Sequence, residues 1–79
     1  MTREEVMEKV IEFAAMAFKK DAGEIKEETN ISQELGVSSL QRITMSASIE
    51  NEFDVTIPVA RFGNFTTIGD LVDYIMDEM

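Results

Sequence analysis

The sequence predicts an all-α fold: a small four-helix bundle of three main helices and one short helix, in a single domain spanning residues 1–79. Three observations predict it. Apolar residues recur at helical spacing in three segments, and each segment begins with a Ser or Thr followed three residues later by Glu, Gln or Asp, the capping-box spacing. A chain of 79 residues has room for only one small core.

The first helix is predicted near the amino terminus. Its apolar residues form two adjacent stripes: Val6, Val10, Phe13 and Ala17, then Met7, Ile11, Ala14 and Phe18. Thr2 and Glu5 have capping-box spacing, and Lys19 with Lys20 suits the negative end of the helix dipole. The sequence therefore predicts both the start and the end of this helix.

A long polar connection follows over residues 21–38. Four apolar residues recur along it and are expected to hold it against the core: Ile25, Ile31, Leu35 and Val37. A connection of this length in so small a domain indicates a crossover between helices or a functional loop.

The second helix is predicted to start at Ser38 and to end near Phe53. On a helical wheel its apolar residues fall on two nearly opposite sides, Met45, Ile49 and Phe53 on one and Leu40, Ile43 and Ala47 on the other. Only one side can face the core of a small bundle. Arg42 falls beside Met45 and Ile49, so its side chain either extends to solvent or borders the interior.

The rest of the chain predicts an extended segment, a short helix and a last helix. Residues 53–57 alternate like a strand, but they are isolated and end at Pro58, which favours an extended loop. One helical turn is predicted over residues 59–62. The last helix is predicted from the Thr67 and Asp70 spacing and from the apolar residues Ile68, Leu71, Val72, Ile75 and Met79.

Composition excludes many functions. The net charge is −9, and the chain has no His and no Cys. It therefore has no imidazole base, no catalytic triad, no thiolate or histidine metal site and no disulfide, so we expect a protein that is not an enzyme. The acidity disfavours nucleic acid and anionic lipid. Without a signal-type or membrane-spanning apolar run, we expect a soluble, cytoplasmic monomer that does not insert into membranes.

Carboxylate clusters do not predict a metal site. Asp70, Asp73 and Asp77 share one face of the last helix, which is best interpreted as a solvated face. The acidic residues 21–32 lack the ligand and glycine positions of an EF-hand.

The most informative segment for function is Leu35-Gly36-Val37-Ser38-Ser39-Leu40. A glycine turn leads into a helix that opens with two hydroxyl side chains, where unpaired N–H groups and the positive end of the helix dipole meet. Ser38 suits the helix cap, and Ser39 is freer to point to solvent and carry a phosphate ester. Taken alone, the pattern favours the simpler interpretation that the two serines only cap the helix.

Three blocks of the sequence resemble acyl carrier proteins. The segment from Leu35 to Leu40 resembles the Leu-Gly-x-Asp-Ser-Leu signature of that family, and Asp54-Val55-Thr56-Ile57-Pro58 resembles its Phe-Asp-x-x-Ile-Pro. Residues 66–75, Thr-Thr-Ile-Gly-Asp-Leu-Val-Asp-Tyr-Ile, resemble its Thr-Thr-Val-Gly-Asp-x-Val-x-Tyr-Ile. The spacing matches without gaps from Leu35 to Ile75.

The resemblance implies a four-helix bundle whose Ser39 is modified by a phosphopantetheinyl transferase to carry 4′-phosphopantetheine. The terminal thiol of that arm would hold acyl groups as thioesters and present them to acyl-loading and acyl-processing enzymes. The function expected is a specialised acyl carrier protein of fatty acid, lipid or polyketide-type biosynthesis. Two alternatives remain: an aminoacyl or peptidyl carrier, and an unmodified carrier-like module that only binds other proteins.

The resemblance also suggests a docking surface, on which this chain departs from the family. Leu40, Ile43 and Ala47 would form an exposed apolar ridge beside Ser39, with Arg42 and Arg61 as further docking residues. Ser38 stands in place of the family's Asp, and the early positions of the second helix are not acidic. Residues 39–63 hold three acidic and two basic residues, so docking is expected to be more apolar and less salt-sensitive than in the family.

Overall fold

A computed structural model of the chain describes residues 2–31, 39–58, 61 and 64–79. The described residues form three α-helices and one short 3-10 helix: α1 (Arg3–Phe18), the 3-10 helix (Ala22–Glu24), α2 (Ser39–Phe53) and α3 (Ile68–Glu78). Within these residues no strand forms, and the only β-type pairing is an isolated antiparallel bridge between Asn30 and Thr67. The predicted all-α bundle is confirmed.

The capping box predicted at the start of α1 is present. The Glu5 N–H donates to Thr2 Oγ1 at 3.2 Å, and the Thr2 N–H donates to Glu5 Oε1 at 2.9 Å. This hydrogen bond from the Thr2 backbone lowers the pKa of Glu5 below its ordinary value. The C-cap of α1 is Lys19, which has a φ of 56° in the left-handed region and donates its N–H to the Ala15 carbonyl.

Helix α1 packs against both α2 and α3, so it forms the centre of the bundle. One face of it is completely buried at every fourth residue, through Val6, Val10, Ala14 and Phe18. Both stripes predicted for this helix contribute to that face, and Phe13 and Ala17 pack at its edge. Arg3 connects the start of α1 to two other elements, pairing with Glu27 at 2.9 Å and Asp73 at 3.0 Å.

The connection after α1 is held to the core as predicted at Ile25 and Ile31, which are both buried. Thr29 is buried as well, and its Oγ1 accepts a hydrogen bond from the Lys26 N–H at 2.8 Å. The Ile68 N–H donates to the Thr29 carbonyl at 3.1 Å, which fixes this loop to the start of α3. The other two predicted anchors, Leu35 and Val37, lie outside the described residues.

Helix α2 buries Met45, Ile49 and Phe53, the side of the wheel predicted to face the core. Phe53 meets Phe13 of α1 edge to face, with ring centroids 6.5 Å apart. The helix begins at Ser39, one residue after the predicted start, and the predicted cap Ser38 lies outside the described residues.

The segment after α2 is extended and has no regular structure over residues 54–58, as predicted. Of the short helix predicted over residues 59–62, only Arg61 belongs to the described part of the chain. Helix α3 has the predicted capping box, since the Asp70 N–H donates to Thr67 Oγ1 at 3.2 Å and Asp70 Oδ2 accepts the Thr67 N–H at 3.2 Å.

One apolar position of α3 was predicted wrongly. Ile68, Leu71, Val72 and Ile75 are buried as predicted, but Met79 is 52% exposed. The helix ends at Glu78, so Met79 lies beyond its last residue as the C-cap.

Candidate functional site

Ser39, the residue predicted to carry a prosthetic group, is the first residue of α2. The first N–H groups of an α-helix have no partner within the helix, and its dipole is positive at that end. The first turn of α2 contains no acidic residue. The start of α2 is therefore electrostatically suited to a negatively charged group.

An apolar ridge lies directly after Ser39 on the solvent side of α2. Leu40 is 72% exposed and Ile43 is 50% exposed, and the next residue of the stripe, Ala47, is exposed too. The prediction that this side of the wheel faces away from the core is confirmed. We call Leu40, Ile43 and Ala47 the apolar ridge.

The hydroxyl groups on the outer side of α2 are used within the helix. Thr44 Oγ1 donates to the Leu40 carbonyl and Ser48 Oγ to the Thr44 carbonyl, each at 3.0 Å. The ridge continues into an open depression of about 530 Å³, whose lining includes Ala47, Ser48, Glu50 and Asn51. Among these lining residues there is no nucleophile–base pair.

Arg42 lies one helical turn after Ser39, at the boundary between core and solvent. Its side chain is half-buried, and its Nε atom is sealed from solvent without a hydrogen-bond partner among the described residues. The Nε atom of Arg42 is therefore shielded from solvent, and whether the side chain borders a pocket for an acyl chain stays a prediction.

Arg61, the other basic residue predicted to take part in docking, is held by α3. Its guanidinium carbon lies 5.6 Å from the centre of the Tyr74 ring, a cation–π distance. Tyr74 in turn stacks at a tilt on Phe65, with centroids 5.2 Å apart, and its hydroxyl donates to the Thr56 carbonyl at 3.4 Å. The described contact of Arg61 thus places it on α3 and not on the ridge of α2.

Two polar side chains that position α2, the buried Ser46 and the partly buried Glu50, were missed by sequence reasoning. Ser46 Oγ donates to the Ile57 carbonyl at 2.6 Å, and Glu50 Oε1 accepts the Ile57 N–H at 3.2 Å. Both side chains reach across to the extended segment, so they fix the rotation of α2 and therefore which of its sides is exposed. Their spacing of one helical turn is the signal that could have suggested a shared partner.

Asp70, Asp73 and Asp77 are all exposed, as predicted for a solvated face, and the first two also take part in the fold. Asp70 caps the helix, and Asp73 pairs with Arg3, whose pKa is raised mainly by its hydrogen bonds to Glu27 and Asp73. In the described part of the chain, no group of three or more carboxylates is arranged to hold a metal ion. Over the same residues, no helix has both the length and the apolar character needed to cross a bilayer.

Comparison with known proteins identifies a family and related proteins. The family model for the phosphopantetheine attachment site matches residues 8–75. An acyl carrier protein of Prochlorococcus marinus (strain MIT 9515) is 31% identical over 75 residues, which cover 95% of this chain and 94% of that protein. Both matches span the start of α2, the apolar ridge and nearly all of α3.

Proposed function

Because the chain belongs to the acyl carrier protein family and contains its phosphopantetheine attachment domain, we propose that Ser39 is the residue that carries 4′-phosphopantetheine. The observation behind the proposal is the place of Ser39 as the first residue of α2, immediately before an exposed apolar ridge. The resemblance to the family signature, which runs without gaps from Leu35 to Ile75, supports Ser39 as the modified serine. A carrier of this kind is not itself an enzyme.

The residues around Ser39 fit such a group. A phosphodiester at the start of α2 would meet unpaired backbone N–H groups and the positive end of the helix dipole. Arg42, one turn further on, has a buried Nε without a partner among the described residues, and that atom is a hydrogen-bond donor. When bound, the group supplies the terminal thiol on which an acyl chain is carried, which a chain without Cys cannot provide itself.

The apolar ridge is proposed as the docking surface for the phosphopantetheinyl transferase and for acyl-loading and acyl-processing enzymes. Leu40 follows Ser39 directly and Ile43 lies about one turn further on, so an enzyme that acts at Ser39 would come close to both. Burying exposed apolar area favours association, at roughly 25 cal/mol per Å². Arg42 and Arg61 are proposed as further docking residues, with Arg61 acting from its place against Tyr74 of α3.

The change in charge around the site supports a specialised carrier. The first turn of α2 has no acidic residue, and Gln41, Arg42 and Thr44 occupy its early positions. Enzymes that recognise an acidic second helix would find few carboxylates here. We therefore propose a cytoplasmic, monomeric carrier of a secondary fatty acid, lipid or polyketide-type pathway.

Intact mass tests the attachment. We expect the wild-type protein and Ser38→Ala to gain the mass of one phosphopantetheine group when incubated with coenzyme A and a promiscuous transferase, and Ser39→Ala to gain none. Ser38→Ala is the matched control, since it removes the neighbouring hydroxyl. If Ser39→Ala still gains the mass, or the wild type does not, the assignment is wrong.

Loading assays separate the alternatives. Transfer of an amino acid by an adenylating enzyme, without transfer of fatty acyl groups, would indicate an aminoacyl or peptidyl carrier. An unmodified protein that purifies with a stable partner would indicate a protein-binding module.

A further inference from the structure

The side chain of Arg42 has a buried donor that the described residues leave unused. Its Nε atom is sealed from water and makes no hydrogen bond to them. A buried donor without an acceptor lowers stability, and more so when the group is charged. Such an atom calls for an explanation, and an acceptor supplied by a bound group is one.

The acidic groups close to Arg42 along α2 are engaged elsewhere. The next acidic residues on the helix are Glu50, which accepts the Ile57 N–H, and Glu52, which lies 3.6 Å from Lys9. None of the ion pairs among the described residues includes Arg42. The described residues therefore supply no carboxylate to Arg42, which leaves its guanidinium open to an oxyanion from another molecule or group.

The position of Arg42 indicates where that acceptor lies. Residues three apart on a helix are neighbours, with Cβ atoms about 5–6 Å from each other, so Arg42 stands next to Ser39. A guanidinium group presents a planar fork of donors that matches the two oxygens of a phosphate or a carboxylate. An oxyanion attached through Ser39 would therefore be within its reach.

We propose that Arg42 binds an oxyanion of the arm carried by Ser39. Two oxyanions fit this chemistry: the phosphodiester that joins the arm to Ser39, and the carboxylate of an acidic acyl cargo folded back along α2. The first would make Arg42 an anchor for the arm, and the second would make it a selector of dicarboxylic cargo. The proposal rests on the attachment at Ser39 proposed above.

The test compares each variant with its own unmodified form, so a general loss of stability cancels. Wild type, Arg42→Gln, Arg42→Lys and the matched control Arg61→Gln are prepared unmodified, with the bare arm, and with acetyl or succinyl cargo, each form verified by intact mass. Once the wild type carries the oxyanion that Arg42 binds, we expect it to melt about 4–8 °C above its unmodified form. This is the shift expected for one charge-assisted hydrogen bond in so small a domain. Arg42→Gln should lose this gain, Arg42→Lys about half of it, and Arg61→Gln none.

The cargo forms distinguish the two sources. A gain already present with the bare arm, together with a ³¹P chemical shift that moves in Arg42→Gln, assigns the phosphodiester. A gain present only with succinyl cargo assigns the carboxylate. If wild type and Arg42→Gln gain equally in melting temperature in all three forms, the proposal is overturned. If Arg42→Gln does not fold, an undiminished gain in melting temperature in Arg42→Lys overturns it instead. Absence of the mass gain in wild type overturns the attachment as well, so the two failures are distinguishable.

Discussion

Ser46 Oγ donates a hydrogen bond of 2.6 Å to the carbonyl oxygen of Ile57, across the junction between α2 and the extended segment that follows it. The Ile57 N–H is also paired with α2, through Glu50 Oε1 at 3.2 Å. Two side chains of α2 therefore satisfy both backbone groups of a core residue that lacks a strand neighbour. The contact holds α2 in the rotation that places Met45 and Ile49 inside and Leu40 outside.

Replacing Ser46 by Ala is expected to destabilise the fold. Ser46 is only 5% exposed, so its loss leaves the Ile57 carbonyl without a side-chain donor in a buried setting. A loss of about 1–3 kcal/mol in the free energy of unfolding is expected, measured by urea denaturation. The control is Ser48→Ala, which removes a hydroxyl that only bonds back to the Thr44 carbonyl of its own helix. Equal effects of the two substitutions would show that the Ser46 contact has no special role.

Gly69 in α3 marks a close approach between the helix and the loop after α1. Its N–H donates to the Glu27 carbonyl at 2.8 Å, and a Cβ atom at this position would lie 2.8 Å from Glu27 Cγ. Gly→Ala in a helix usually stabilises by up to about 1 kcal/mol. Here the overlap is expected to reverse the sign, with a net loss of about 1 kcal/mol in urea denaturation.

Two controls isolate this steric effect. Gly23→Ala should change stability by less than about 0.5 kcal/mol, because its Cβ would meet Asp21 Oδ1 at an ordinary 3.6 Å. In an Glu27→Ala background, which removes Cγ, Gly69→Ala should no longer destabilise. A loss of the same size in both backgrounds would contradict the steric explanation.

The stability of α1 is expected to depend on pH through Glu5. The pKa of Glu5 is lowered by its hydrogen bond from the Thr2 backbone, so the charged form stabilises the folded state. That contribution is present above the pKa of the unfolded chain and is lost as the pH falls through the lower pKa of the folded state. Between neutral and acid pH, the free energy of unfolding measured by urea denaturation should therefore fall less in Glu5→Gln than in the wild type.

Glu4→Gln is the matched control for the pH experiment. It removes the same charge from the same first turn, but Glu4 is not the residue that closes the capping box. If the two substitutions change the acid limb equally, the effect comes from charge near the helix end and not from the cap.

Local patterns predicted most of this fold, and non-local contacts account for what they missed. The capping boxes at Thr2 and Thr67 depend on side chains three residues further along the chain, so the spacing in the sequence was enough to predict them. Ser46 has its partner eleven residues away, so no local pattern signals its burial. The 3-10 helix at Ala22–Glu24 is too short to show a period. In the site, the position of Ser39 and the exposure of Leu40 were predictable, but the unpaired Nε of Arg42 required three-dimensional packing.

Leu40 is expected to matter for docking and not for folding. Because its side chain is 72% exposed, Leu40→Ser should leave the free energy of unfolding nearly unchanged. Its burial by a bound enzyme is worth about 1.5–3 kcal/mol, so kcat/KM for phosphopantetheinyl transfer should fall roughly tenfold or more. Met16→Ser, at a 68% exposed residue of α1, is the control and should leave the rate unchanged. Equal losses for the two variants would remove the ridge as the docking surface.

Docking at the apolar ridge is expected to depend little on salt. The ridge consists of apolar side chains, and α2 has no acidic residue in its first turn, so few exposed charges take part in the proposed docking. Salt screens interactions between exposed charges beyond about 8 Å at physiological ionic strength but leaves apolar burial largely intact. We expect kcat/KM with the cognate acyl-loading enzyme to change less than roughly threefold between 50 and 500 mM NaCl. Arg61→Gln should flatten the dependence further if Arg61 supplies the remaining charge contact. A collapse of activity in moderate salt would show that docking depends on charges outside the ridge.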